Sequence, residues 1–466
     1  MSDLRLNPFT LGTFAPADAE RCGYDRDAQA CGIVHFGIGA FHRAHQAWYT
    51  DRAMEAGDRD WAIIGVSLRS GEVAHQMNPQ EGLYTVTERS GEGAKARVIG
   101  AVKQVLVAPA EPEEAIGALA APSTKIASFT ITEKGYCRAA DGSLDPALAG
   151  EDSVYHYLQQ GLRRRHDAGL PGLTLLCCDN LANNGAQLER LMREYLGRHD
   201  PALLDWFAAD CACPSTMVDR IVPATTVADR EQVAEMLDGL RDEAAVMTEP
   251  FSQWVIEDRF AGERPRWEDV GAELVAEVAP YETAKLRMLN GAHSMLAYVG
   301  LAHGHSYVHE AVADPAIGAL AERLMREEAA PTIDAADGQD LDAYADALLQ
   351  RFANPALQHR LIQIAMDGSQ KIPQRWLETL AANQQAGRDC PAIIAGIAGW
   401  IRHLRGANGP VDDPRAAELA VVASGDDAIE RLFGAGGLIA SEWQPGAEES
   451  GAIRSNLRMM EPEDLD

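Results

Sequence analysis

Residues 31–45, "CGIVHFGIGAFHRAH", decide how the chain folds. A short apolar run, residues 31–39, reads as a buried strand that ends in glycines. From Phe41 to about Ala56 the pattern is helical, with Gly57 as its stop. Gly37 and Gly39 therefore stand where a strand hands over to a helix. A dinucleotide fingerprint needs that context: the first glycine permits a tight turn, and the second lets the backbone approach a pyrophosphate on the helix N-terminus. The third glycine of the pattern is missing, because residue 42 is His. A GxG alone also serves an ordinary tight turn, but strand, turn and helix in this order favour a cofactor. The candidate cofactor-binding residues are Gly37, Ile38, Gly39, Ala40, Phe41 and His42.

Outward from this turn, apolar strands alternate with amphipathic helices. Strand patterns cover 61–68, 83–88, 96–107, 125–132 and 173–180, and helical patterns cover 111–122, 151–169 and 184–199. Such alternation predicts an α/β fold with a parallel sheet covered on both faces, a Rossmann-type arrangement. Between 210 and 280 the pattern loosens into short strands and loops, and from about Pro280 onward it is mostly helical. The expected division is a dinucleotide-binding domain over 1–278 and a mostly α-helical substrate domain over 279–466. The polar end, residues 444–466, is expected to fray.

Composition narrows the function. The chain has 466 residues, 46% apolar and 24% charged, with 41 Lys and Arg against 70 Asp and Glu. A formal charge of −29 repels phosphate backbones, so nucleic acid is not expected as a partner. No basic head with an apolar core opens the chain, and no apolar run approaches the length of a membrane span. Eight cysteines lie without CxxC spacing, which suits reduced thiols in a cytoplasmic enzyme. His303, His305 and His309 lie close in sequence without Cys, Asp or Glu at matching spacing, so no metal is expected.

The end of the second strand reads Val66-Ser67-Leu68-Arg69, without the carboxylate that usually meets the ribose hydroxyls. Arg69 is either a partner for a 2′-phosphate or adenine, or a solvated loop residue. Residues alone leave NAD against NADP open. Glu133 and Lys134 end a strand on the side where such sheets bind ligands, and are placed near the nicotinamide.

In "KLRMLNGAHS", residues 285–294, a lysine opens an otherwise apolar helical run. At roughly 100° per residue, Glu282, Lys285, Asn290 and His293 share one arc of about 140°. Four polar groups there are hard to reconcile with plain packing, and are expected to line a cleft. Moving hydride to or from a carbinol needs a base for the hydroxyl proton, and a desolvated lysine amine can serve. An asparagine amide can hold the developing alkoxide, His293 can orient the hydroxyl, and Glu282 can pass the proton to water. The competing reading is a lysine that snorkels and pairs with Glu282.

Several stretches together resemble the mannitol dehydrogenase family of polyol-specific long-chain dehydrogenases. They are "GIGAFHRAHQA" (37–47), "TITEKGYC" (130–137), "CDNLANNG" (178–185), "TMVDRIVP" (216–223), "KLRMLNGAH" (285–293) and "IAMDGSQKIPQR" (364–375). The resemblance implies a metal-free site with Lys285 as catalytic lysine and Asn180 and Asn290 as an oxyanion-binding pair. It implies a substrate-positioning His293, a Glu282 on the proton path, and Asp219 and Lys371 at the substrate. It also favours NAD. Polyol-oxidising members tend to carry Arg and His where Gln363 and Met366 stand here. "IAMDGSQKIPQR" and "EPFSQWVIED" (249–258) look closer to the fructuronate reductases, which interconvert D-mannonate and D-fructuronate. A carboxylate-bearing substrate needs cations, for which Lys371, Arg287 and Arg375 are the candidates.

The expectation is a cytoplasmic, NAD-dependent oxidoreductase acting on a small sugar acid or polyol, as a monomer or small homo-oligomer. The rivals are a mannitol 2-dehydrogenase-like enzyme and a cofactor-binding regulatory protein without turnover.

Overall fold

Five apolar runs become five strands: β1 Cys31–Phe36, β2 Ala62–Ser67, β3 Val102–Val107, β4 Ile126–Phe129 and β5 Thr174–Cys177. The structure, a computed structural model, describes residues 4–14, 16–439 and 441–460. All five strands pair in parallel, in the order β3-β2-β1-β4-β5. The order reverses between β1 and β4, and ligands bind at such a switch point, outside the carboxyl ends of the strands. The strands are apolar because both faces are covered. Val34, Phe36, Phe129 and Leu175 pack on one side with Leu119, Leu158 and Leu188 from the flanking helices. Ile33, Ile63, Ile126 and Leu176 pack on the other side with Ala47, Met54 and Trp254.

The chain divides into two compact units, Met1–Val278 and Ala279–Asp466. The first also carries two small sheets. The hairpin Tyr84–Ser90/Gly93–Ile99 is flanked by Ala19–Glu20 and Val246–Thr248, and Gln253–Glu257 lies between Thr216–Asp219 and Glu273–Val275.

Three local expectations fail in this unit. The run 96–107 is two strands in different sheets. The backbone turns at Gly100, whose N–H donates to the buried Asp51 carboxylate at 2.8 Å, and a Cβ there would lie 2.7 Å from Cys22 Sγ. The helical pattern after the glycine turn is two helices, α1 Ala40–Ala44 and α2 Gln46–Glu55, broken at His45 (φ −120, ψ −97). Within the loosely patterned region lies a further helix, Val227–Met236, started by a capping box of Thr226 and Asp229.

The second unit is helical. Its core surrounds α3 Gly291–Ala302 and α4 Pro391–Leu404, with Trp376, Trp400 and Trp443 fully buried. Buried Glu328 accepts the N–H groups of Ala392 (2.7 Å) and Ile393 (2.9 Å), capping α4. Over residues 447–460 the expected fraying gives way to a packed helix. Ala447–Met460 is a helix that buries Ile453, Leu457 and Met460, and its Glu449 accepts from Gly446 N–H and Trp443 Nε1–H at 2.8 and 3.0 Å. Residues 461–466 lie outside the described residues.

Three segments of this unit, Lys285–Asn290, Leu324–Ala329 and Pro373–Leu377, are wound as π-turns rather than α-helix. The 100° wheel used for residues 282–293 is therefore corrected. An i→i+5 turn is wider, and π-turns are frequent at functional sites. No helix among the described residues is long and apolar enough to cross a membrane.

Candidate active site

In the first unit the glycine turn is fastened to both neighbouring strands. Gly37 N–H donates to Val66 O at 2.9 Å, and the Thr130 hydroxyl donates to Gly37 O at 2.7 Å. Gly37 has φ +94, and a Cβ on it would lie 2.1 Å from Thr130 O. Only glycine fits. His35 Nε2 lies 2.9 Å from Thr130 Oγ1 and its Nδ1 lies 2.8 Å from Ser128 Oγ, which donates to Gln46 Oε1 at 2.8 Å. The His42 ring stacks on His35 at 3.4 Å, and both are fully buried. Burial pushes His35 down to about 3 and His42 well below the usual imidazole range, so both rings are neutral.

The His42 side chain faces inward and the Ile38 side chain is buried against Gly65, so these two expected cofactor residues have only main-chain groups to offer. Gly39, by contrast, is exposed, and a Cβ on it would meet nothing closer than Gly37 O at 3.9 Å. The space over Gly39 suits a pyrophosphate approaching bare backbone, so the turn fits a dinucleotide held by main-chain groups of residues 37–41. Arg43 is likewise structural, bonding Ala244 O, while Tyr84 OH donates to Arg43 O at 2.7 Å. Gly37→Ala is expected to cost more than about 2 kcal/mol of stability. Gly39→Ala, at an ordinary φ of −75, should spare the thermal midpoint and weaken only dinucleotide binding. Calorimetry and cofactor titration of the two variants separate these outcomes.

Beyond β2, Arg69 is exposed, and the strand end supplies a serine, Ser67 Oγ donating to Ser70 O at 2.5 Å. Glu133 and Lys134 are exposed on the single turn Thr132–Gly135 that follows β4. Asn180 is exposed just beyond β5. The residue before it, Asp179, accepts from Ile131 N–H (2.9 Å), Thr132 N–H (3.0 Å) and Tyr136 OH (2.7 Å), tying the ends of β4 and β5 together. Asn184 extends the tie. Its amide donates to Asp179 O (3.0 Å) and Thr216 O (2.9 Å) and accepts from Thr216 N–H (2.9 Å). Asn180 thus lies at the carboxyl end of β5, and the strand that Asn184 fastens at Thr216 ends in buried Asp219. The arginine after it, Arg220, is a buried strut to Ala44 O (2.6 Å), Glu249 O (3.0 Å) and Glu88 (2.5 Å), lying over Trp48. Sequence reasoning missed Asp179, Asn184, His35 and Thr130. For Thr130, Asp179 and Asn184 the signal was a polar cluster following an apolar strand, whereas His35 lies within β1.

In the second unit the first helical stretch carries Glu282, Lys285, Asn290 and His293. Lys285 is buried, Glu282 and Asn290 are half-buried, and His293 packs on Phe352 and His359 with ring centroids at 4.7 and 5.3 Å. Burial, then the nearby His359, Arg351 and Arg375, holds His293 well below the imidazole range, so it is a neutral hydrogen-bonding ring. Arg375 reaches the same place. Its Nη1 donates to Ser294 Oγ at 2.8 Å and to Asn290 O at 3.4 Å. Lys371 donates to Met366 O at 2.6 Å. Burial, then the neighbouring Arg375, pushes Lys371 down, and burial pushes Arg375 down to about 10. Arg287 is directed elsewhere, to Thr332 O (2.6 Å) and Glu378 (3.3 Å), and its charge is matched there. Of the three cations expected at a substrate carboxylate, Arg375 bonds at Asn290, Lys371 lies near Arg375, and Arg287 is directed elsewhere. His305 lies 3.6 Å from Asp314, and the described residues contain no group of three His, Cys, Asp or Glu able to hold a metal.

The family model for the mannitol dehydrogenase Rossmann domain matches residues 31–269, and that for the mannitol dehydrogenase C-terminal domain matches residues 277–432. The chain belongs to the mannitol dehydrogenase family. As a family member it is a dehydrogenase acting on a CH–OH group, not a regulatory protein without turnover. It is 40% identical to the D-mannonate oxidoreductase of Escherichia coli K12, over 94% of this chain and 95% of that protein. A substrate-free D-sorbitol dehydrogenase is similar in structure, with TM-score 0.89 and 32% identity over 98% of this chain and 97% of that one. The mannitol 2-dehydrogenase of Pseudomonas fluorescens, solved with NAD and D-mannitol, has TM-score 0.78 and 33% identity over the same shares.

Proposed function

We propose that this mannitol dehydrogenase family member interconverts D-mannonate and D-fructuronate, using NAD, in the cytoplasm, as a monomer or small homo-oligomer. Residues 1–278 serve as the dinucleotide-binding domain and residues 279–466 as the catalytic and substrate domain. Bound NAD would supply the hydride acceptor in the oxidative direction, and its reduced form the hydride donor in the other. Lys285 takes the hydroxyl proton of the carbinol as its C–H bond is broken and the C=O bond forms. In reverse, protonated Lys285 returns that proton. Asn180 and Asn290 hold the charged oxygen, His293 orients the hydroxyl, Glu282 passes the proton on to water, and Asp219 meets the sugar hydroxyls. Arg69, Glu133 and Lys134 border the cofactor.

The observation that carries the sugar-acid reading is Arg375, with Lys371 near it. Both are half-buried cations, and Arg375 bonds neutral oxygens beside Asn290. Among the described residues Arg375 forms no ion pair with a carboxylate, whereas Lys371 has Asp367 and Asp413 near it, so the reading rests on Arg375. A buried cation without an anion is costly, and a substrate carboxylate offsets that cost. The 40% identity to D-mannonate oxidoreductase over nearly the whole of both chains supports the same substrate. The polyol reading keeps its own support in the likeness to mannitol 2-dehydrogenase bound to D-mannitol. Absorbance at the reduced-nicotinamide band, with D-mannonate and then D-mannitol, each with NAD and NADP, decides between them. D-mannonate with NAD is expected to give the higher kcat/KM by about 10²-fold, the scale of one charge-assisted contact. A higher kcat/KM with D-mannitol reverses the assignment.

A further inference from the structure

The stretch that carries Lys285 and Asn290 is a π-turn, Lys285–Asn290, and a π-turn persists only when its surroundings over-determine it. Here the surroundings are two other π-turns. At Gly291, the residue that closes the first, a Cβ would meet Arg375 O at 3.4 Å, Leu324 Cδ2 at 3.5 Å and Trp376 Cδ1 at 3.8 Å. Leu324 begins the second π-turn, and Arg375 and Trp376 belong to the third. Two side-chain bonds at this junction are directed at main-chain carbonyls. The Trp376 indole Nε1–H donates to Gly291 O at 3.0 Å, and Arg375 Nη1 donates to Asn290 O at 3.4 Å. Trp376 is fully buried, so its N–H has no water to turn to if this bond is lost.

The winding has a chemical consequence. At α spacing, residues five apart point roughly 140° from one another. Bonding from i to i+5 stacks them closer to one side. Lys285 and Asn290 are five apart. In plain α-helix the amine and the amide diverge, and in a π-turn they are turned closer to one side.

We infer that Trp376 is a positioning residue: its indole N–H pins Gly291 O, holds the π-turn, and so keeps Lys285 and Asn290 aimed at the same reacting oxygen. This rests on the proposed role of Lys285. Trp376 has no catalytic part of its own.

The test is Trp376→Phe, which keeps an aromatic ring and removes the donor. Lys285→Ala is measured beside it, with whichever of D-mannonate and D-mannitol the wild type oxidises better. Trp376→Phe is expected to lower kcat about 10- to 50-fold, the range of one buried hydrogen bond. KM for NAD should stay within about twofold, since nothing at the glycine turn is touched. The ionisation limb of the kcat–pH profile should also move, because the amine's surroundings change. A merely structural role would lower the active fraction without moving that limb. Should the variant fail to fold, benzothienylalanine placed at 376 alone replaces N–H by sulfur at nearly unchanged shape, and the same shift is expected. Wild-type kcat with an unmoved pH limb in either protein overturns the positioning role. Near-normal turnover in Lys285→Ala would instead overturn the lysine assignment beneath it.

Discussion

Lys285→Ala is expected to lower kcat by about 10³-fold, the middle of the range for a positioned acid–base group. Cofactor affinity should hold, because the glycine turn of residues 37–41 is built from β1, α1 and the end of β4. Titration of the reduced cofactor by fluorescence, beside steady-state turnover, separates the two effects. The size of the loss follows from the chemistry of the carbinol. Hydride leaves carbon readily only when the oxygen is losing its proton, and buried Lys285 is the amine proposed to receive it. Lys285→Arg should be nearly as inactive, because a guanidinium stays charged and accepts no proton. Turnover within tenfold of wild type in Lys285→Ala would remove the lysine from the reaction.

Arg375→Ala is expected to lower kcat/KM for D-mannonate by about 10²-fold, on the scale of a charge-assisted contact to a carboxylate. With D-mannitol, which has no carboxylate, the direct loss disappears and only the weakened support at Asn290 O and Ser294 Oγ remains, so about fivefold is expected. The difference between the two substrates is the informative quantity. Equal losses would reduce Arg375 to a scaffold residue. Arg287→Ala serves as the contrast, since its partners are Thr332 and Glu378, and it should change neither substrate's kcat/KM more than about twofold while lowering stability slightly.

The parallel sheet was legible because burial on both faces forces a strand to be apolar throughout, as in Ile33–Phe36 and Leu175–Cys177. Its glycine turn was legible for a related reason: Gly37 needs a positive φ against Thr130, and few other residues supply it. The direction of His42 was not legible. A glycine fingerprint constrains the backbone path and says nothing about which way the next side chain turns. The winding of Lys285–Asn290 was also out of reach. It depends on Trp376 and Leu324, far along the chain, and local periodicity carries no record of such a contact. Residue chemistry nominated Arg287 and Arg375 alike as partners for a carboxylate. Only tertiary contacts separate them, sending one to Glu378 and the other to Asn290. The helix Ala447–Met460 was misjudged because its polar residues outnumber the three that bury, Ile453, Leu457 and Met460.

In the proposed reaction one amine exchanges one proton, and single-turnover oxidation of D-mannonate by NAD followed across pH tests that most directly. The prediction for the wild type is a rate that rises with pH along a single ionisation and levels off. For Lys285→Ala it is a slow rate without that ionisation, increased by added small primary amines. A variant that keeps the wild-type limb and plateau would contradict the assignment of Lys285 as the acid–base group.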